Sequence, residues 1–411
     1  MIATLNGICS YRNETVDLNE ATLEEYVSTE SMLPNRGGVG VASSLPGTGK
    51  VKFFKAGDTL ISNIRPYFKK IWRSDRNGYC SNDVLVFKAD SCLPDFLYWT
   101  LSSDDFFAHM TKTSKGTKMP RGDKNAIMQY EINLPSLSAQ EAVCSILNPL
   151  QKKMVSNAML NDYLRELIKV LFAHWFKDFA PFQSEDTYVT EIGDIPTSVK
   201  LVPLAELTKV ITKGTTPTTL GFEYKKSGIN FIKGESIGDD HSFDYGKFAH
   251  IDEEANAALK RSVIEDRDLL FTIAGTLGRF AMAEKEMIPA NTNQAVGIIR
   301  ADERLLTPEV LLSYFIGGWQ EDYYARRVQQ AVQANLSLTT LKSLPVPILE
   351  GNRRSEYEEQ IVPIIHAIEA NNTENRRLSE LRDILLPKLM SGEIDVSKID
   401  LTQLNNHLAV Y

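Results

Sequence analysis

Leu164-Arg165-Glu166-Leu167-Ile168-Lys169-Val170-Leu171-Phe172 returns, 214 positions later, as Leu378-Ser379-Glu380-Leu381-Arg382-Asp383-Ile384-Leu385-Leu386. The same offset carries Asn157 onto Asn371 and Asn161 onto Asn375, so polar positions recur along with the leucines. Around the first copy, Val143, Leu147, Leu150, Met154, Asn157, Asn161, Leu164, Ile168, Leu171 and Trp175 follow at alternating intervals of four and three, the seam of a coiled coil. The second copy gives Ile361, Ile364, Ile368, Asn371, Asn375, Leu378, Leu381 and Leu385. A buried asparagine on such a seam weakens packing but fixes register and partner, so the matched pairs predict that the two helices pack on one another. A helix from Gln140 to Lys177 is roughly 57 Å long, enough to act as a spacer. Pro363 and Pro387 predict bends near the ends of the second copy.

Each copy closes a block of comparable size, and the blocks echo one another more faintly. Gly57-Asp58-Thr59-Leu60-Ile61-Ser62 resembles Arg267-Asp268-Leu269-Leu270-Phe271-Thr272, and Asp83-Val84-Leu85-Val86-Phe87-Lys88-Ala89-Asp90 resembles Ala295-Val296-Gly297-Ile298-Ile299-Arg300-Ala301-Asp302. These are short apolar strands bounded by Gly and Asp turns, while Phe96–Trp99 and Val310–Phe315 read as helices packed on a sheet. Both blocks are therefore mixed α/β, and each rod follows a proline-bearing extended stretch, Ile132–Pro135 or Leu344–Pro347.

The chain has 411 residues, 43% hydrophobic and 24% charged, which is too long for one compact unit. Cys9, Cys80, Cys92 and Cys144 form no C-x-x-C pair, the start lacks a basic run and an apolar signal core, and no apolar run approaches a membrane span. A reduced, cytoplasmic location is the expectation. The net charge of -8 hides an asymmetry: Arg36 to Lys124 holds 15 Lys+Arg against 8 Asp and no Glu. That stretch carries +7 and the remainder -15. Polyanion binding follows the local field, so the basic block suits a phosphate backbone. Val199 to Leu349 has 17 basic and 19 acidic residues, and its reading face is not marked by charge.

Several segments, in this order, resemble the specificity (S) subunit of type I restriction-modification systems. In the first block they are Tyr26–Gly38 and Gly57–Pro66; in the second, Gly214-Thr215-Thr216-Pro217, Asp268–Arg279 and Asn293-Gln294-Ala295-Val296. Leu385-Leu386-Pro387-Lys388-Leu389-Met390-Ser391-Gly392-Glu393-Ile394 is similar to the family's closing helix. The resemblance covers most of the chain. It implies two target-recognition domains of similar fold separated by two long antiparallel coiled-coil helices, a pseudo-two-fold repeat. The expected boundaries are 1–137 and 181–350 for the recognition domains, 138–180 and 351–395 for the spacer helices, and 396–411 for a C-terminal tail. Each recognition domain is expected to read one half of a bipartite DNA site, with base edges met by Arg, Lys, Asn or Gln and phosphates by other cations.

On that reading the first domain offers Arg36, Lys50, Lys52, Arg65, Tyr67, Lys69, Lys70, Arg73, Lys115, Lys118 and Arg121, with Lys115–Arg121 as a mobile basic loop. The second offers Lys213, Thr215, Thr216, Lys225, Lys226, Lys233, Arg279, Asn291, Asn293 and Gln294. Expected partners are double-stranded DNA, methyltransferase subunits and restriction/translocase subunits. Phe172, Phe176 and Phe179 are taken as exposed apolar groups for the methyltransferase.

Catalytic motifs are lacking in the sequence. No Pro-Pro pair exists to form an amino-methyltransferase loop, Ser44–Lys50 departs from a phosphate-binding loop at Ser44 and Val51, and the six histidines form no metal array. Asp239-Asp240 and Asp252-Glu253-Glu254 read as solvated acidic loops. The chain is expected to hold no cofactor, with S-adenosylmethionine, ATP and Mg belonging to partner subunits. Two other classes stay open on the residues alone: a helical interaction scaffold without DNA specificity, and a stand-alone DNA-modifying enzyme.

Overall fold

The computed structural model describes residues 2–17, 21–190, 193–321, 323 and 336–396, so the expected tail lies, beyond Val396, outside the described residues. The chain folds as two units, Met1–Ser156 with Glu374–Tyr411, and Asn157–Thr373. Unit 1 runs through β1 (Ile2–Thr4), β2 (Cys9–Tyr11), β3 (Thr15–Asp17), β4 (Tyr26–Val27), β5 (Lys50–Phe54), β6 (Thr59–Ser62), β7 (Ile71–Arg73), β8 (Gly78–Cys80) and β9 (Val84–Ala89). Helices α1 (Pro94–Ser102), α2 (Asp104–Lys112) and α3 (Lys124–Met128) follow, then β10 (Glu131–Asn133). Ser103 caps α2 by accepting from Phe106 N, and Asp123 caps α3 by accepting from Asn125 N and Ala126 N. The strands form sheets ordered β2-β9-β6-β7 and β3-β5-β8-β4, while β1 pairs with β10. Helix α4 (Leu137–Phe176) then leads out of unit 1 and into unit 2.

Unit 2 repeats the plan with β11 (Thr187–Thr190), β12 (Gly193–Pro196), β13 (Val199–Pro203), β14 (Thr208–Lys213), β15 (Ile229–Ile232), β16 (Ala249–Ile251), α5 (Glu253–Ala258), β17 (Val263–Ile264), β18 (Leu269–Thr272), β19 (Phe280–Met282), β20 (Ala290–Thr292) and β21 (Val296–Ala301). It ends with α6 (Pro308–Ile316), α7 (Leu338–Lys342) and β22 (Pro345–Leu349), before α8 (Gly351–Ser391). Its main sheet is β14-β21-β18-β19, its second sheet β16-β15-β20-β17, and β13 pairs with β22. The two sequence echoes occupy equivalent strands, β6 with β18 and β9 with β21. In both second sheets a parallel pair, β4 with β8 and β15 with β20, is extended by an antiparallel strand, β5 or β17. The units differ in the fourth strand: β3 joins β5 in unit 1, whereas β16 joins β15 in unit 2.

The echo extends to a buried ion pair. Asp58 accepts from Arg12 Nε at 2.6 Å and from the Lys55 amide; Asp268 accepts from Arg300 Nε at 2.8 Å and from the Glu265 amide. The carboxylates correspond, but Arg12 follows β2 and Arg300 lies in β21. Burial raises the Asp268 pKa, and the hydrogen bonds from Arg300 and the Glu265 amide offset part of that.

The helices pack antiparallel within each unit. In unit 2, Asn161 Nδ2 donates to Asn372 Oδ1 at 2.8 Å, Asn371 Nδ2 donates to Asn161 Oδ1 at 2.8 Å, and Trp175 Nε1 donates to Gln360. In unit 1, Asn375 Nδ2 donates to the Met154 carbonyl at 3.1 Å and Lys153 pairs with Glu374. The seam of α4 is buried or half-buried from Val143 to Trp175. The seam of α8 drifts: Leu381 is exposed, and Leu386 and Leu389 are buried instead of Leu385, as expected when 3.6 residues per turn slip against a 3.5 repeat. Helix α8 runs unbroken across Pro363 and Pro387, and α4 likewise runs through Pro149.

Asn161→Leu is expected to cost about 1–3 kcal/mol, because it strips Asn371 and Asn372 of their partner. In denaturant titrations, adding Asn371→Leu and Asn372→Leu should recover part of that loss; an additive triple variant would show that the asparagines are not coupled.

Candidate nucleic-acid interface

In unit 1 three loops meet through their backbones. Asn35 N donates to Phe68 O at 2.8 Å, Arg36 N to Lys69 O at 2.9 Å, Arg65 N to Pro120 O at 2.8 Å, and Gly122 N to Asn63 O at 3.2 Å. The Lys115–Arg121 segment is pinned, not loose: Lys115 N donates to Arg121 O and Arg121 N to Lys115 O. The sequence-predicted cations of unit 1 thus divide into an exposed group and a structural group.

Arg65, Tyr67, Lys69, Lys115, Lys118 and Arg121 belong to these loops, with Arg65 and Lys69 half-buried and the other four exposed. Lys69 pairs with Asp104, Lys115 with Asp123 and Arg121 with Asp83. Burial works against the Asp104 carboxylate, but hydrogen bonds from Lys69 and Arg36 hold its pKa below the usual range. Arg65 and Lys118 make no ion pair among the described residues, so both can meet a phosphate without giving up a carboxylate. Lys50 is exposed at the start of β5, and Arg73, in β7, pairs with Asp95 of α1 at 2.5 Å.

Three of the predicted contacts of unit 1 are corrected. Arg36 is 6% exposed, and its guanidinium is held by the Ser102 carbonyl at 2.6 Å and by Asp104, so it positions the loops from below. Lys52 is buried, with Nζ donating to the Asn82 and Val84 carbonyls at 2.9 and 2.6 Å. Lys70 Nζ donates to the Thr29 carbonyl at 2.7 Å. Burial lowers the pKa of both lysines. Their charges are committed to backbone acceptors.

In unit 2 the loop after β20 meets both the loop after β14 and, through Ile273 N donating to Ala295 O at 2.8 Å, the turn after β18, and that turn also meets the loop after β15. Gly214 N donates to Asn293 O, Thr216 Oγ1 to Gln294, and Thr276 Oγ1 to Gly234 O at 3.4 Å. A Cβ on Gly214 would overlap the Thr292 carbonyl, so only glycine allows this approach. Gln294, Lys225 and Lys226 are exposed and Lys213, Thr215 and Thr216 half-buried. Arg279 pairs with Asp239 at 2.6 Å, Lys225 with Asp252 at 3.2 Å, and Lys233 lies over the Tyr224 ring at 4.5 Å. Asp239 and Asp252 are thus ion-pair partners, and Asp252 also caps α5. Asn293 closes its own turn by accepting from Ala295 N. Asn291 is corrected: it is fully buried and bonded to Ser262, Asn256 and Leu259.

Sequence reasoning missed Phe68 and Met119, exposed apolar side chains on the same loops as the cations, and Arg261, whose Nη2 donates to Thr215 Oγ1 at 3.3 Å. The signal for Phe68 was its place between Tyr67 and Lys69; that for Met119 was its place between Lys118 and Arg121 in a polar loop.

The helices require a further correction. Phe172 and Phe176 are fully buried in the unit 2 core, and Phe179 packs against it half-buried. The exposed apolar side chains of α4 in unit 2 are Met159, Leu160, Tyr163, Leu167 and Val170, with Tyr163 68% and Val170 64% exposed. Among the described residues no helix is long and apolar enough to cross a membrane, and no group of three or more His, Cys, Asp or Glu is placed to hold a metal ion.

Residues 4–164 and 196–382 match the family model of the type I restriction modification DNA specificity domain. The chain is 23% identical to the HindI specificity subunit of Haemophilus influenzae, over 95% of this chain and 98% of that protein. It is 21% identical to the MjaIX specificity subunit of Methanocaldococcus jannaschii, over 76% and 72%. The fold is similar to the crystal structure of the type I restriction-modification S subunit from M. genitalium, with a TM-score of 0.55 at 16% identity over 95% and 96% of the two chains. One matched segment ends in α4 and the other in α8, each after a unit's sheets, so the family model follows the repeat seen in the strands. The chain belongs to the specificity (S) subunit family of type I restriction-modification systems.

Proposed function

We propose that this specificity subunit recognises a bipartite double-stranded DNA target, each recognition domain reading one half-site and the paired helices setting the unread spacer. The observation that carries this reading is the duplicated sheet plan, with loops bearing cations and amides beside corresponding strands in both units. Phosphate contacts fix register, and base edges specify. In unit 1 Arg65 and Lys118 are the first phosphate contacts, and Lys69, Lys115 and Arg121 exchange a carboxylate for the backbone. In unit 2 Gln294 is exposed on the loop that Gly214 holds close, and Lys226 is exposed on the segment before β15.

The chain itself is non-catalytic in this reading. It scaffolds methyltransferase and restriction/translocase subunits in the cytoplasm, and S-adenosylmethionine, ATP and Mg serve those partners. The exposed apolar stripe on α4 is the proposed methyltransferase contact.

Single-molecule methylome sequencing of a strain with and without this gene, beside its cognate methyltransferase, tests the function. Loss of one bipartite adenine-methylation motif is expected; an unchanged methylome in a methylation-competent strain would overturn it. In the assembled complex, Arg65→Ala and Lys118→Ala should each lower the slope of log K against log salt by about 0.9, the signature of one phosphate contact. An unchanged slope would remove that residue from the interface.

A further inference from the structure

The unit 1 loops present two aromatic rings to solvent where a soluble protein gains nothing from them. Tyr67 is 49% and Phe68 38% exposed, and their centroids lie 4.8 Å apart. They sit on a single three-residue turn, Pro66–Phe68, with Arg65 before it and Lys69 after it, both in the left-handed backbone region at φ of 51° and 50°. Asn35 and Arg36, which clasp this turn from the next loop, are left-handed too. Four of the seven described non-glycine residues with positive φ therefore converge on one surface tip. Such strain persists only where surrounding contacts over-determine it, and it concentrates at functional sites. Here the buried Arg36 supplies that hold through Ser102 and Asp104.

We propose that Tyr67 and Phe68 form a rigid apolar wedge that inserts against the base stack of the first half-site and partly unstacks one base step. The proposal rests on the reading of unit 1 as a DNA-recognition domain. Charge complementarity selects duplex DNA as the occupant. Arg65 and Lys69 flank the rings, and Lys118 and Arg121 stand on the loop joined to Arg65, so an incoming duplex held by its phosphates meets the rings next. Apolar side chains pushed between base steps unstack them at a cost that wrapped contacts recover. A tip whose backbone is already fixed loses little entropy in doing so.

The test uses the assembled complex with its methyltransferase subunits and duplexes carrying 2-aminopurine at successive positions of the first half-site. The wild-type complex should raise the fluorescence at one step. Phe68→Ala and Tyr67→Ala should each abolish or reduce that rise and weaken binding by about tenfold, the scale of one lost aromatic stack. Phe68→Leu, still apolar, should keep most of the rise, while Lys118→Ala should lower the salt slope and leave the rise intact. Because both rings are exposed, the melting temperature should stay at the wild-type value in every variant. Salt-dependent binding with flat fluorescence at every position would overturn the wedge and leave DNA recognition standing. A wild-type complex that binds no duplex would overturn both.

Discussion

Phe172→Ala is expected to destabilise unit 2 by about 3–5 kcal/mol, the range for deleting a large aromatic from a packed core. Phe172 is fully buried, with ring centroids 5.2 Å from Phe176, 5.6 Å from Tyr314 and 6.0 Å from Trp319. Gly317 lies so close that a Cβ there would overlap the ring, so the surrounding backbone has been shaped to the phenyl group and cannot simply collapse into its space. Against a domain stability of about 5–15 kcal/mol this is a large fraction. The thermal transition of unit 2 should fall by on the order of 10 °C. Phe172→Leu should cost much less, because most of the volume is kept. The measurement separates core from partner contact. An isolated chain that melts normally but no longer assembles would return Phe172 to the interface.

The helical half of the architecture was legible because its signal is redundant. Ten seam positions in α4 keep one spacing, and two asparagines interrupt it at matched places; Asn161 then meets Asn371 and Asn372. The strands β6, β9, β18 and β21 were legible as apolar runs between Gly and Asp turns. The second sheet of each unit was not, since β4 and β17 have two residues each and their pairing partners are distant in sequence. Phe172 and Phe176 were misread for a related reason. A seam pattern accounts for one helix face, whereas the end of α4 is buried on other faces by α6 and the chain around Gly317, which no local period announces.

The candidate site was legible as loops but not as individual contacts. Side-chain type places Lys and Arg on the surface by default, yet Lys52 and Arg36 are buried because backbone carbonyls and Asp104 accept their hydrogen bonds. Asn291 was read as a base reader and serves instead as a hydrogen-bonded core residue. In each case the deciding partner is remote in sequence: 66 positions separate Arg36 from Ser102. The cations left outside such networks, Arg65 and Lys118 foremost, are the ones whose charge remains for a phosphate.

Tyr163→Asp combined with Leu167→Asp is expected to abolish co-purification with the methyltransferase subunits while leaving the isolated chain folded. Met159, Tyr163, Leu167 and Val170 follow at intervals of four, four and three, so they share one helix face, and Leu160 borders it. All five are exposed large apolar side chains, within twelve residues of a helix whose seam residues Asn161 and Ile168 are already buried. Monomeric proteins seldom leave so continuous an apolar surface in water. At such a face the central aromatic is the natural anchor, and loss of one anchor typically weakens binding by 2 kcal/mol or more, roughly 30-fold. Aspartate adds a charge that the partner would have to desolvate, so two substitutions should exceed the reach of a pull-down. The same variant should increase the monomeric fraction of the isolated chain, because water now solvates the former apolar face. Tyr163→Phe keeps the ring and should assemble normally. Removing the neighbouring exposed Glu166–Lys169 ion pair should change little, since such pairs contribute about 0–1 kcal/mol. Full assembly by the double aspartate variant would move the partner surface off this face of α4.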